Sequence, residues 1–160
     1  MKISWVEPDL LAASGIPIDA SDLQSLHNQG VRAIISLTEW PLTLFKSLPM
    51  EVFAALDITY LHMPVPDQHP PTTEQAHTIL RFIEQMRAQH RAVLVHCHAG
   101  IGRTGTILHL YYIAQGLNFE QAREQVRLRR PYSIMLSDKQ RAFLNDFIAV
   151  MNNKKVCDEL

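Results

Sequence analysis

Net charge is almost absent: fifteen Lys and Arg stand against sixteen Asp and Glu, a formal charge of -1. Bulk attraction to nucleic acid or to an anionic membrane is therefore not expected, and any preference for anions has to come from a local site. Cysteine is scarce. Cys97 and Cys157 show no paired spacing, which excludes a disulfide framework and fits a reduced, cytoplasmic chain. No apolar stretch approaches the roughly 18 residues of a membrane helix. Met1 to Leu11 hold one Lys and no apolar run of signal-peptide length, so no targeting segment is expected. Without one, the closing Cys157-Asp158-Glu159-Leu160, which resembles an ER-retention address, has no route to its receptor. The nucleotide loop Gly-x-x-x-x-Gly-Lys-Ser/Thr is missing. No second Cys/His pair stands at zinc-finger spacing, so neither a metal nor another cofactor is expected.

What is present suits one domain spanning residues 1–160, with 47% apolar and 19% charged residues and no repeats. A chain this long buries roughly 70% of its unfolded surface and needs no staple. Ser21 with Gln24, Thr72 with Gln75 and Ser137 with Gln140 are capping-box pairs, each opening a helix. The first should stop at Gly30. The second runs to about His90, with Ala76, Ile79, Leu80, Ile83 and Met86 at helical spacing. The last turns Phe143, Leu144, Phe147, Ile148 and Met151 inward. Phe119, Ala122 and Val126 mark a further helix that ends before Pro131. Short apolar runs at 31–37, 58–65 and 92–96 read as strands, Pro64, Pro66, Pro70 and Pro71 mark a loop, and 41–55 reads as helix and loop. Strands alternating with helices predict an α/β domain: a central, largely parallel sheet of about four to five strands flanked by helices.

The segment His96-Cys97-His98-Ala99-Gly100-Ile101-Gly102-Arg103-Thr104-Gly105-Thr106 follows a buried strand and leads into an apolar helix over Ile107 to Ile113. At such a junction free backbone N–H groups and the helix dipole attract an anion. Gly100 and Gly102 let the chain curl so that successive N–H groups point at one centre. Cys97 and Arg103 stand six positions apart, at the two ends of the loop. Around a phosphate, the sulfur would lie beneath and the planar guanidinium would bond two phosphoryl oxygens. Cations and helix N-termini favour the thiolate, the nucleophile that such chemistry requires. The Thr104 hydroxyl is placed to bond the sulfur. His98, Ala99, Gly100, Ile101, Gly102 and Arg103 are the candidate substrate-binding residues. A cysteine at a strand's end is more often only a small buried hydrophobe. His96 and His98, as neighbours of one extended residue, face away from it and suggest no metal.

The pattern His-Cys-x-x-Gly-x-Gly-Arg-Thr-Gly resembles the signature loop of the protein-tyrosine phosphatase superfamily. The likeness covers nearly the whole chain, and Ile35-Ser36-Leu37-Thr38-Glu39 and Arg130-Pro131 are similar to the compact archaeal-type tyrosine phosphatases and the smallest atypical dual-specificity phosphatases. The resemblance implies hydrolysis of phosphomonoesters through a cysteinyl phosphate, with a phosphorylated protein or a small phosphomonoester as substrate.

A poor leaving group needs a proton. The family places its acid about 30 residues before the cysteine in a proline-flanked loop, where this chain has Asp67. An aspartate beside proline is also a common solvated turn residue. Asp57 precedes the strand and is the poorer candidate. His96 is expected to orient the loop. Gln140 is either the family's water-placing glutamine or only the capping partner of Ser137. No Lys lies between Cys97 and Arg103, which argues against phosphoinositides. Arg123, Arg127, Arg129 and Arg130 read as a solvated basic face. Sulfur transfer, arsenate reduction and a non-catalytic phospho-binding module remain as rivals, and the oligomeric state is open.

Overall fold

Five strands form one sheet in the order β1-β2-β5-β3-β4. They are β1 (Ser4–Glu7), β2 (Leu11–Ser14), β3 (Val31–Ser36), β4 (Thr59–His62) and β5 (Ala92–His96). The computed structural model describes residues 1–159; Leu160, the end of the ER-type tetrapeptide, lies outside the described residues. Only β1 runs antiparallel, against β2; the other pairings are parallel. The expected largely parallel α/β sheet is therefore present.

Two of the strands went unread in the sequence. β1 and β2 are four residues each, and β2 reads Leu-Ala-Ala-Ser. Alanine is a poor strand former. Here its small side chain is what lets a strand buried on both faces sit between layers, with Leu11, Ala12 and Ala13 fully covered. Asp9, at φ 56, turns the chain between the two strands.

The helices are α1 (Ala20–Asn28), α2 (Met50–Ala55), α3 (Thr73–Ala88), α4 (Gly102–Ala114), α5 (Phe119–Arg129) and α6 (Asp138–Asp158), with short 3-10 turns at Leu42–Leu44 and Pro131–Ile134. Capping boxes open α3 and α6 at Thr72 and Ser137, as the sequence predicts. The start of α1 differs. Its cap is Asp19, which accepts from Asp22 N, while Ser21 lies inside the first turn and donates to Asp19. The carboxylate two positions earlier outcompetes the serine for the free N–H groups and complements the helix dipole.

Alternation along the strands divides the core. Ala13, Ile35, Val93 and Val95 pack against α3 to α6, and Ala12, Ile34 and Leu94 against Leu23, Leu26 and Phe53 of α1 and α2. Helix α4 is covered all round: every residue from Arg103 to Ile113 is buried. The register sets the site. Ser14, His96, Ser36 and His62 stand level across β2, β5, β3 and β4. The four loops that follow those residues therefore leave the same edge, the carboxyl end of a parallel sheet, where such folds bind ligands.

Candidate active site

His96 ends β5 fully buried. Its Nδ1 lies 3.0 Å from the carbonyl of Cys97 and must carry the hydrogen, since a carbonyl only accepts. Burial pushes the imidazole pKa down to about 4, so the ring is neutral and fixes the carbonyl behind the cysteine. His98 is exposed. The two histidines thus end in different surroundings, His96 inside the core and His98 in solvent.

The loop from Cys97 to Gly102 is held by its carbonyls. Those of His98, Gly100, Ile101 and Gly102 accept from Ile16 N (2.9 Å), Ser133 Oγ (2.8 Å), Gly105 N (2.7 Å) and Thr106 Oγ1 (2.8 Å). Arg130 Nε adds a second bond to Gly100 O at 3.0 Å. Among the described residues, no amide from His98 to Gly102 donates to a protein acceptor. With the carbonyls turned outward, these N–H groups remain for a bound anion. Gly100 has φ +71, and a Cβ there would run into the Ser14 carbonyl and Arg130. Gly100, Gly102 and Gly105 also fit the Gly-x-Gly-x-x-Gly spacing of dinucleotide loops. In this chain Gly105 serves close packing instead: a Cβ on it would meet the Ser133 carbonyl.

Arg103 is 4% exposed. Its Nη1 donates to Glu39 Oε2 (2.9 Å) and the Val65 carbonyl (3.0 Å). Nη2 lies 3.4 Å from Asp67 Oδ1, and Nε is buried without a partner. One nitrogen anchors the guanidinium, and the Nε/Nη2 edge is the fork available to an oxyanion. Glu39 also accepts from Asp67 N at 3.1 Å. Its own backbone amide, and then Arg103, hold the Glu39 carboxyl below the usual carboxylate range against the opposing effect of burial.

Cys97, His98, Ala99, Ile101, Gly102 and Arg103 line one cavity of about 620 Å³, with Glu39, Asp67 and Gln140 on its other walls. Asp67 sits at an exposed loop tip after β4. Asp57 is remote from this group and pairs with Arg91. One expectation changes, and one alternative gains a structural basis. Thr104 Oγ1 is buried with no hydrogen-bond partner, so its anticipated bond to the sulfur is not formed. Gln140 lines the cavity, yet both of its amide atoms are engaged: Oε1 accepts from Ser137 N (2.9 Å), and Nε2 donates to the His69 carbonyl (3.3 Å). The capping role accounts for the Oε1 bond, while a second lone pair on Oε1 and a second N–H on Nε2 remain unused. The basic face is also less uniform than expected. Arg127 pairs with Glu124 in solvent, whereas Arg130 is half-buried behind the loop and also bonds Ser4 Oγ at 3.0 Å. Sequence reasoning gave no role at the site to Glu39, Arg130 or Ser133. Glu39 was visible only in a family-like stretch, Arg130 in another and as part of the basic face, and Ser133 carried no signal at all.

A family model described as "Polymorphic toxin system, DSP-PTPase phosphatase" matches residues 13–117. Human dual specificity protein phosphatase 15 is 34% identical over 116 residues, which cover 71% of this chain and 36% of that protein. Arabidopsis thaliana phosphatidylglycerophosphate phosphatase PTPMT2 is 28% identical over 145 residues, 89% of this chain and 62% of that one. The chain thus spans between a third and two thirds of the length of these relatives. The crystal structure of Tk-PTP in its active form superposes with a TM-score of 0.79 and 26% identity, over 92% of this chain and 96% of that one. PTPMT1 shares the fold, with a TM-score of 0.83 at 21% identity over 97% of this chain and 99% of that one. Since the family match runs from β2 past the end of α4 and takes in the whole Cys97-to-Arg103 loop, this chain belongs to the DSP-PTPase phosphatase family.

Proposed function

We propose that this chain, as one domain over residues 1–160, is a protein tyrosine/dual-specificity phosphatase working through a cysteinyl phosphate, without metal or cofactor. The observation that carries this reading is the meeting of three groups in one cavity: Cys97, the Nε/Nη2 edge of Arg103, and Asp67, whose Oδ1 lies 3.4 Å from Nη2. Three oxygens of a phosphomonoester sit against the loop amides and the Arg103 fork. The Cys97 thiolate attacks phosphorus in line, forming the S–P bond as the P–O bond to the leaving group breaks. Arg103 and the N–H groups stabilise the charge spread over the equatorial oxygens. Asp67, protonated, gives its proton to the departing oxygen and becomes a carboxylate. That carboxylate then takes a proton from water as the water oxygen attacks phosphorus. Inorganic phosphate leaves, and the thiolate and the protonated acid are restored. Thr104, whose buried hydroxyl has no other partner, turns to the sulfur as it departs.

The phosphorylated side chain of a protein is the substrate best supported by the dual-specificity relatives. A second reading, a lipid-borne or small phosphomonoester, is favoured by the likeness to PTPMT2 over 89% of the chain. Either way the setting is cytoplasmic; among the described residues no helix is long and apolar enough to cross a membrane. The test is hydrolysis of an aryl phosphate, with EDTA and reductant present, by wild type and Cys97→Ser. Turnover in the wild type that vanishes in the variant is expected. A wild type that binds phosphate esters without cleaving them would make this a binding module. A panel of phosphopeptides and phosphatidylglycerophosphate then ranks the two substrate readings.

A further inference from the structure

The loop that carries Asp67 is three residues long between Pro66 and Pro70, and it is tied on several sides. Asp67 N donates to Glu39, and the Asp67 carbonyl accepts from His69 Nδ1 at 2.7 Å. His69 N donates to the Pro66 carbonyl at 3.1 Å. The other two carbonyls are taken by the first turn of α6. Ser137 Oγ donates to Gln68 O at 2.6 Å, and Gln140 Nε2 donates to His69 O at 3.3 Å. Lys139 Nζ stands 3.3 Å from His69 Nε2, the ring nitrogen left with a lone pair once Nδ1 donates. Gln68 holds φ 60, a conformation that a residue with a side chain keeps only under constraint.

The capping box makes these ties available. In it Ser137 Oγ accepts from Gln140 N at 3.2 Å, and Gln140 Oε1 accepts from Ser137 N. Both are acceptor roles. One O–H and one side-chain NH₂ remain, and both are directed at the acid loop. A cap needs neither of them. Gln140 also stands beside the catalytic loop: it lines the same cavity as Gly102, and a Cβ added to Gly102 would come within 3.2 Å of its Oε1. The same helical turn therefore bonds the loop bearing the acid and lies next to the loop bearing the nucleophile.

We infer that Ser137 and Gln140 are positioning residues, which fix the Asp67 loop at the cavity that holds Cys97 before substrate arrives, so that the acid is preset rather than carried in on a closing lid. This rests on the reading of Asp67 as the proton donor. Glycine is tolerated at an N-cap nearly as well as serine, so Ser137→Gly removes the O–H while leaving α6 in place. Ser137→Thr keeps the hydroxyl. The readout is kcat/KM for two esters, phenyl phosphate with its poor leaving group and 4-nitrophenyl phosphate with a good one, because only the first depends strongly on the acid.

Asp67→Asn should lower kcat/KM for phenyl phosphate by about 100-fold or more, and for the nitrophenyl ester far less. Ser137→Gly should lower the phenyl phosphate value by about tenfold and the other by about twofold at most. Ser137→Thr should stay near wild type. In the Asp67→Asn background Ser137→Gly should add nothing, because a residue that acts through the acid has no effect once the acid is gone. Equal losses on both esters, a loss that persists without Asp67, or no loss at all while Asp67→Asn behaves as expected, would each overturn the latch and leave the acid standing. If Asp67→Asn itself shows no dependence on the leaving group, the assignment of the acid fails, and the latch fails with it.

Discussion

Replacing a helical glycine by alanine ordinarily stabilises a protein by about 1 kcal/mol, because alanine loses less backbone freedom on folding. Gly105 lies in α4 with an unexceptional φ, so sequence rules predict that gain for Gly105→Ala. The structure predicts the opposite sign. A Cβ at this position would collide with the carbonyl oxygen of Ser133 and lie 3.3 Å from Leu136 Cδ2. Ser133 belongs to the 3-10 turn Pro131–Ile134, and its backbone cannot rotate away as a side chain would. Overpacking of this kind costs up to about 3 kcal/mol. Subtracting the helical gain of about 1 leaves Gly105→Ala less stable by about 2 kcal/mol. At this chain length that lowers Tm by about 4 to 8 °C.

The displacement should also reach the chemistry. Ser133 Oγ donates to the Gly100 carbonyl, and Leu136 lines the cavity. A turn pushed off α4 loosens the anion loop, so kcat/KM should fall along with stability, by about tenfold or more. Urea unfolding gives the stability, and aryl phosphate hydrolysis well below the melting range gives the activity. Gly102→Ala is the control for stability. There a Cβ meets only the end of the Gln140 side chain, at 3.2 and 3.3 Å, which can give way. A Gly105→Ala protein as stable as wild type, or more so, would refute the claim that this glycine is dictated by the approach of the 3-10 turn.

Arg130→Lys keeps the charge but not the fork that reaches Gly100 O and Ser4 Oγ together. It should cost about 1 to 2 kcal/mol in denaturant unfolding and about tenfold in kcat/KM, and an unchanged variant would reduce Arg130 to a surface charge. Buried neutral histidine makes stability depend on pH. His96 is held at about 4 in the folded state against 6.5 for an unperturbed imidazole, so between those values the unfolded chain binds a proton that the folded chain refuses. Stability is full above about pH 6.5 and falls as the pH drops towards 4, by on the order of 3 kcal/mol in all. His109, lowered by its burial, contributes in the same direction. Urea midpoints at pH 7.5 and pH 5 measure this, and equal midpoints would contradict a neutral, buried His96.

The parts of this molecule that were legible in its sequence are those whose cause is local. The Cys97-to-Arg103 loop is a strand end, two turn-forming glycines and a helix start in one continuous segment, so its anion-binding geometry follows from neighbours in the chain. The helices that open on Thr72 and Ser137 were legible for the same reason, because a capping box closes within four residues. Strand β2 was not, since its alanines make sense only once there is a layer on either side of it. Glu39, Arg130 and Ser133 meet the catalytic loop across 64, 30 and 33 positions of chain. No periodicity records such distances. Gln140 shows how the two kinds of cause combine. Its place three residues after Ser137 fits a helix cap, and read locally it is nothing more. The fold then brings that cap against Gln68 and His69, and donors left over from a local motif become the fastening of a loop some seventy positions away. A motif can thus be read correctly and its consequence still missed, because the consequence belongs to the groups that the motif leaves unused.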